Sequence, residues 1–255
     1  MVKGVDIFRE FFKDFTDNYI LIGGAACDEH MAEAGLTFRA TKDLDLMLIV
    51  EALNPKFVEK FWEFVKSGNY GDRQKSEGDR KYYRFLKPKN EDYPEQLELF
   101  ARNPDLLDLA DETHLTPIPV DEDLSSLSAI LMNDDYYGFT LENSKVENHL
   151  QLAGIEALIC LKAKAFLDLR ERKETGEKID SRDIKKHKND VIRLAVMLTE
   201  ENSMETPGSI TIDMSEFVEM IKTEPPDYRA IAKNIRIPEI NGDSIVKQIK
   251  HTFSL

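Results

Sequence analysis

Two cysteines in 255 residues, Cys27 and Cys160, are too few for a disulfide framework or a cysteine-built zinc site. Both lie in apolar helical patterns, where a buried free thiol is the ordinary reading. Positive charge is also scarce. Thirty-four Lys and Arg face 48 Asp and Glu, a formal net charge of −14, so non-specific attraction to a nucleic-acid backbone is repelled over most of the surface. A local basic cleft remains compatible with that balance. No apolar run approaches the ~20 residues that cross a bilayer, and the opening "MVKGVDIFREFFKDF" alternates charge with aromatics, unlike a signal peptide. The expectation is a soluble, cytoplasmic protein without a membrane partner. Internal repeats and low-complexity tracts are lacking too. What is abundant is apolar mass, 42% hydrophobic residues, enough for one large core or two modest ones.

The texture changes along the chain. Val5, Phe8, Phe11, Phe12 and Phe15 recur at helical spacing and predict an opening amphipathic helix. "YILI" reads as a short strand, "AACDEHMAEAG" as a helix from a glycine pair to Gly35, and "DLDLMLIV" as a second strand. A helix follows through "KFVEKFWEFVK" to Ser67-Gly68, then strands at "KYYRFLK" and "EQLELFA". Between about 104 and 150, "HLTPIPV", "SSLSAILM" and "YYGFTLEN" read as short strands or loops. From Gly154 onward the patterns are helical: "IEALICLKAKAFLDLRER", "DIKKHKNDVIRLAVMLTE", "MSEFVEMIKT", "YRAIAKNI" and "DSIVKQIKHTF". The expectation is an α+β protein, with a mixed-sheet domain over 1–150 and a helical bundle domain over 151–255 completing a cleft.

Two short stretches carry chemistry. Gly23-Gly24 falls between a strand and a helix. It serves either a tight turn or a cradle in which backbone N–H groups and a helix N-terminus meet an anion. In "DLDL", strand period two puts Asp43 and Asp45 on one side and Leu44 and Leu46 on the other. Such a pair is either a solvated strand edge or a site for a hard cation that takes oxygen ligands. Glu98, centred in "QLELF", is a third acid within an apolar alternation, an exposed edge residue or a further ligand. Two cations roughly 4 Å apart can share such carboxylates in phosphoryl and nucleotidyl transfer.

The helix from Ile155 adds a cation. Ile155, Leu158, Ile159, Ala165, Phe166 and Leu169 form an apolar stripe, with Lys162 near its middle and Lys164 on roughly the opposite side. A lysine in a core stripe snorkels, shifts its pKa or meets an anion, which favours Lys162 over Lys164 as a phosphate ligand. Around it, between Lys162 and Lys188, basic residues outnumber acidic ones. Asp183, His187 and Asp190 run along one flank of the next apolar stripe, with His187 read as a packing or cleft-edge residue. Arg39, just before the acidic strand, reaches a phosphate or pairs with an acid.

The order strand, Gly-Gly, helix, Asp-x-Asp strand and later acidic strand resembles the nucleotidyltransferase superfamily related to DNA polymerase beta. More narrowly, "LIGGAA…FRATKDLDLML" with "LICLKAKAFLDL" and "KKHKNDVIRL" is similar to the AbiEii/AbiGii toxin family, over roughly Tyr19 to Leu198. That resemblance implies a nucleotidyltransferase-like fold and two Mg²⁺ ions on Asp43, Asp45 and Glu98. It implies a nucleoside triphosphate over Gly23 and Gly24, and catalytic parts for a helical lysine, Lys162, and a later aspartate, Asp190, while Arg39 and Lys164 stand as further candidate phosphate ligands on the reading of the residues alone. It also implies transfer of a nucleotide to tRNA or a protein hydroxyl, and an antitoxin as partner. Ala25 departs from the pattern, since family members usually carry Ser or Thr there. Two other readings stand beside it: nucleotidyl transfer to a small hydroxyl compound of the antibiotic type, and a non-catalytic module binding nucleotide or protein.

Overall fold

A computed structural model of the chain describes residues 2–75, 81–101, 116–117, 122–201 and 203–255. They fall into two compact units, one of Met1–Glu29, Ala40–Asp121 and Ser144–Ala153, the other of His30–Arg39, Glu122–Asn143 and Gly154–Leu255. Among the described residues, no helix is long and apolar enough to cross a membrane.

The first unit is built on a mixed sheet. Its elements begin with α1 (Val5–Phe12), β1 (Tyr19–Ile22) and the start of α2 (Gly23–Glu33), followed by β2 (Asp43–Leu48) and α3 (Pro55–Gly68). Strands β3 (Tyr70–Lys75), β4 (Lys81–Pro88), β5 (Gln96–Ala101), β6 (Thr116–Pro117), β7 (Ser144–Glu147) and β8 (Leu150–Ala153) complete it. The spatial order is β6-β3-β4-β5-β2-β1-β8-β7. Strand β2 runs antiparallel to β1 and parallel to β5, and β5 runs antiparallel to β4. β1 sits inside the sheet, and its four residues are all buried, which is why "YILI" is continuously apolar rather than alternating.

One face of this sheet is sealed by aromatics. Phe85 pairs across β4–β5 with Leu97, which pairs across β5–β2 with Leu44. Phe85 meets Phe61 of α3 at 5.6 Å between ring centroids, and Phe8 of α1 stands edge-on to Tyr19 at 5.1 Å. Asn54 caps α3 by accepting from the Phe57 amide, with Pro55 in its first turn. The period of two then turns Asp43, Asp45, Arg84, Gln96 and Glu98 to the other face.

The second unit holds α4 (Glu122–Met132), α5 (Asp134–Glu142), α6 (Ile155–Glu174), α7 (Ser181–Ala195), α8 (Gly208–Thr223), α9 (Tyr228–Ile235) and α10 (Gly242–Thr252). Helix α6 packs against α4, α7 and α8, with Phe166 edge-on to Phe217 at 5.5 Å.

Several expectations are corrected. "SSLSAILM" and "YYGFTLEN", read as strands or loops, lie in α4 and α5. Asn133 caps α5 by accepting from the Asp135 and Tyr136 amides, and Tyr136, Tyr137, Phe139 and Thr140 are buried, so tertiary burial outweighs the strand preference of aromatic and β-branched residues. In "HLTPIPV" only 116–117 are described, as β6, and the rest of it lies outside the described residues. Strands β3, β7 and β8 were not expected: β3 and β7 are mostly polar and give no alternating signal, and β8 is only four residues long. Helix α8 starts six residues ahead of the expected Met214.

Candidate functional site

Parallel pairing of β2 with β5 registers Asp45 opposite Glu98 and Asp43 opposite Gln96. All three acids singled out from the sequence therefore stand together on one face of the first unit. Asp45 and Glu98 are buried, at 9% and 5% exposure, and Asp43 is half-buried. Burial, followed by the charge of Asp45, pushes the Glu98 carboxyl well above the usual carboxylate range, with Arg84 pulling the other way. Like-charged oxygens forced together in a low-dielectric site share a proton or a cation.

Two neighbours hold Glu98 in place. Arg84, opposite it on β4, donates from Nε to Oε1 at 3.0 Å, and Gln96 Nε2 donates to the same oxygen. Neither residue was singled out from the sequence. Arg84 was visible as the central cation in "KYYRFLK", but only the β4–β5 register says which acid it faces.

The glycine turn presses on the same carboxylates. Gly23 has φ +67°, and a Cβ added there would fall 1.8 Å from Asp45 Oδ2. Glycine is thus required twice, by backbone conformation and by the side chain beside it. At Gly24 an added Cβ would lie 2.6 Å from Thr41 Oγ1. The first amides of α2 have no intrahelical acceptor, and Asp45 sits beside them at the positive end of the helix. Ala25 is fully buried.

The donor set suits a hard divalent cation. It is all oxygen, it comes from adjacent strands, and its carboxylates are close enough to raise Glu98's proton affinity. Asp43, Asp45 and Glu98 are the side chains that would hold it.

The second unit gathers a different set. Asp190 on α7 is fully buried and accepts from Arg39 Nε (3.0 and 3.1 Å) and Nη2 (2.9 Å) and from Arg193 Nη1 (2.9 Å). Lys162 on α6, buried as its stripe position required, puts Nζ 3.6 Å from Asp190 Oδ2. Burial alone would raise the Asp190 carboxyl, but Lys162, Arg39 and Arg193 outweigh it and hold the group below its ordinary range. Arg193 was not expected, although its place three residues after Asp190 is a helical pairing distance. His187 is buried on the same helix. Lys164 lies away from this group and pairs with Asp213 at 2.9 Å, while Tyr136 donates to the other Asp213 oxygen.

No protein-family model matches the chain, and no curated protein matches it. Among solved structures it is similar to an antigenic nucleotidyltransferase-like protein from Paracoccidioides brasiliensis. That similarity is 14% identity over 92% of this chain and 96% of that one, with a TM-score of 0.40. A score that low establishes neither a shared fold nor a shared chemistry.

Proposed function

We propose that the chain is a Mg²⁺-dependent nucleotidyltransferase, moving a nucleoside monophosphate from a triphosphate to an acceptor hydroxyl. The observation that carries the reading is the registration of Asp45 against Glu98 beside Gly23. An aspartate pair on one strand and a glutamate from another converge beside a turn that tolerates no side chain, at an energetic cost that a merely folded protein has no reason to bear.

Asp43, Asp45 and Glu98 would hold two divalent cations, which when bound would neutralise charge at the transferred phosphorus. Gly23 and Gly24 leave the α2 amides open to phosphate oxygens. Arg84 and Gln96, both on Oε1, fix the rotamer of Glu98. The acceptor oxygen forms a bond to the α-phosphorus, the bond to the β-phosphate oxygen breaks, and pyrophosphate leaves with that electron pair. Glu98 in its ionised form takes the hydroxyl proton. Most of the acceleration comes from position and electrostatics. Within the second unit Asp190 orients Lys162 and Arg39, and a phosphate role for those cations rests on the family resemblance alone. A toxin paired with an antitoxin, acting on tRNA or a protein hydroxyl, is the finer form of this reading and rests on the family resemblance.

The test is transfer of label from an α-labelled nucleoside triphosphate. The wild type is expected to transfer label only with Mg²⁺, and the Asp43→Ala/Asp45→Ala variant not at all. Undiminished transfer by that variant removes the mechanism.

A further inference from the structure

The carboxylates have a second neighbour besides the glycine turn. In the order β4-β5-β2-β1, Gly23 follows β1 on one side of Asp45. At the same end of the sheet, across β2 from that turn and where β5 begins and β4 ends, a cavity of about 380 Å³ opens, a size within the range of ligand clefts. Asp43 and Gln96 form part of its wall. Through Gln96, whose amide donates to Glu98 Oε1, a molecule seated there would touch the residue that orients the third acid.

The chemistry of the rim narrows the occupant. In a chain of net charge −14, three lysines stand around this one opening: Lys3, Lys42 and Lys87. Glu91 and Glu95 share the rim, and Lys42 pairs with Glu95 at 2.8 Å. Both members of that pair are exposed, at 71% and 45%, so solvent competes for it and a stronger anion can exchange into it. Lys87 sits at φ +55°, a conformation that costs a non-glycine residue and concentrates at ligand-binding positions. Leu86 and Pro88 add an apolar wall for a sugar or base.

We propose that this cavity is the acceptor subsite and that it takes an acceptor carrying a phosphate group close to the hydroxyl it presents. The proposal rests on the transferase reading above. The shared chemistry, a phosphate ester beside a free hydroxyl, occurs both at the end of a nucleic-acid strand and in small sugar phosphates.

Binding can be measured by calorimetry on the whole chain, without triphosphate or divalent metal, and so independently of catalysis. The probes are a dinucleoside monophosphate against its nucleoside, and a hexose phosphate against the hexose. At least one phosphorylated probe is expected to bind ten-fold or more tightly than its phosphate-free counterpart, and the tighter of the two identifies the source. Lys3→Glu/Lys87→Glu is expected to abolish that preference. Lys56→Glu, at an exposed position of α3, should keep it, with thermal melts verifying that both variants fold. In the transfer assay the double variant should raise the acceptor KM at least ten-fold and leave the triphosphate KM unchanged.

Equal binding of each pair, or a preference that survives the double variant, overturns the subsite. Phosphate-selective binding by a wild type that transfers no label overturns the transferase reading and the acceptor role with it. Transfer indifferent to Lys3→Glu/Lys87→Glu leaves the transferase standing and removes this proposal alone.

Discussion

Two buried acids in this chain meet opposite surroundings. Glu98 faces Asp45, with Arg84 as partial compensation, and its proton affinity rises. Asp190 faces Lys162, Arg39 and Arg193, and its proton affinity falls even though it is the more deeply buried. Burial penalises both charges, so the sign of each shift is decided by the neighbours. The first arrangement stores repulsion that a bound cation would relieve. The second gathers three cations on one carboxylate and ties α6 to α7. Burial of a carboxylate alone therefore carries no functional reading, and the proposed site rests on the like-charged pair beside an obligatory glycine.

The strongest way to break the comparison is to remove one member of the repelling pair. Asp45→Asn should lower nucleotidyl transfer by about 10²–10³-fold or more. The same substitution should raise stability by on the order of 1 kcal/mol, because Glu98 no longer faces a like charge. Parallel activity assays and urea melts measure both. A loss of both activity and stability would mean that Asp45 is a structural residue.

Asp190→Asn should do the reverse to stability. It removes the charge that three cations share inside the second unit, at a cost of about 3–5 kcal/mol, visible as a lower urea midpoint. A midpoint within experimental error of wild type would show that solvent compensates those cations.

pH sharpens the contrast. The raised Glu98 pKa means that the folded state holds its proton more tightly than the unfolded chain. The stability this contributes is present at low pH and is lost as pH rises from about 4.3 through the raised folded value. The lowered Asp190 pKa contributes stability present above about 3.9, lost as pH falls through the folded value. Urea midpoints across pH should show both limbs. Asp45→Asn should flatten the rising-pH loss, and Asp190→Asn the acid loss.

The smallest effect is expected at Lys164. Its half-exposed pair with Asp213 should yield less than ~1 kcal/mol on Lys164→Ala. Nucleotidyl transfer should stay within two-fold of wild type, roughly 0.4 kcal/mol by the rate relation. A transfer loss above ten-fold would return Lys164 to the phosphate-binding set.

Much of this was legible along the chain. "YILI", the Gly23-Gly24 turn, the alternation in "DLDL" and the helical stripe around Lys162 each declare themselves within a few residues, because strand and helix periods and glycine's conformational freedom are local properties. The helices at 122–142 were not legible, since aromatic and serine-rich composition favours other states until burial decides.

By itself the sequence determined where a chain of this composition must turn, which acids share a strand face and which lysine intrudes on an apolar stripe. Only the tertiary structure decided that Glu98 opposes Asp45, that Arg84 and Gln96 hold it, and that Arg39, Arg193 and Lys162 meet on Asp190. Pairing register and helix packing join residues up to 151 positions apart. Such contacts depend on how the strands and helices assemble, which no short-range pattern encodes.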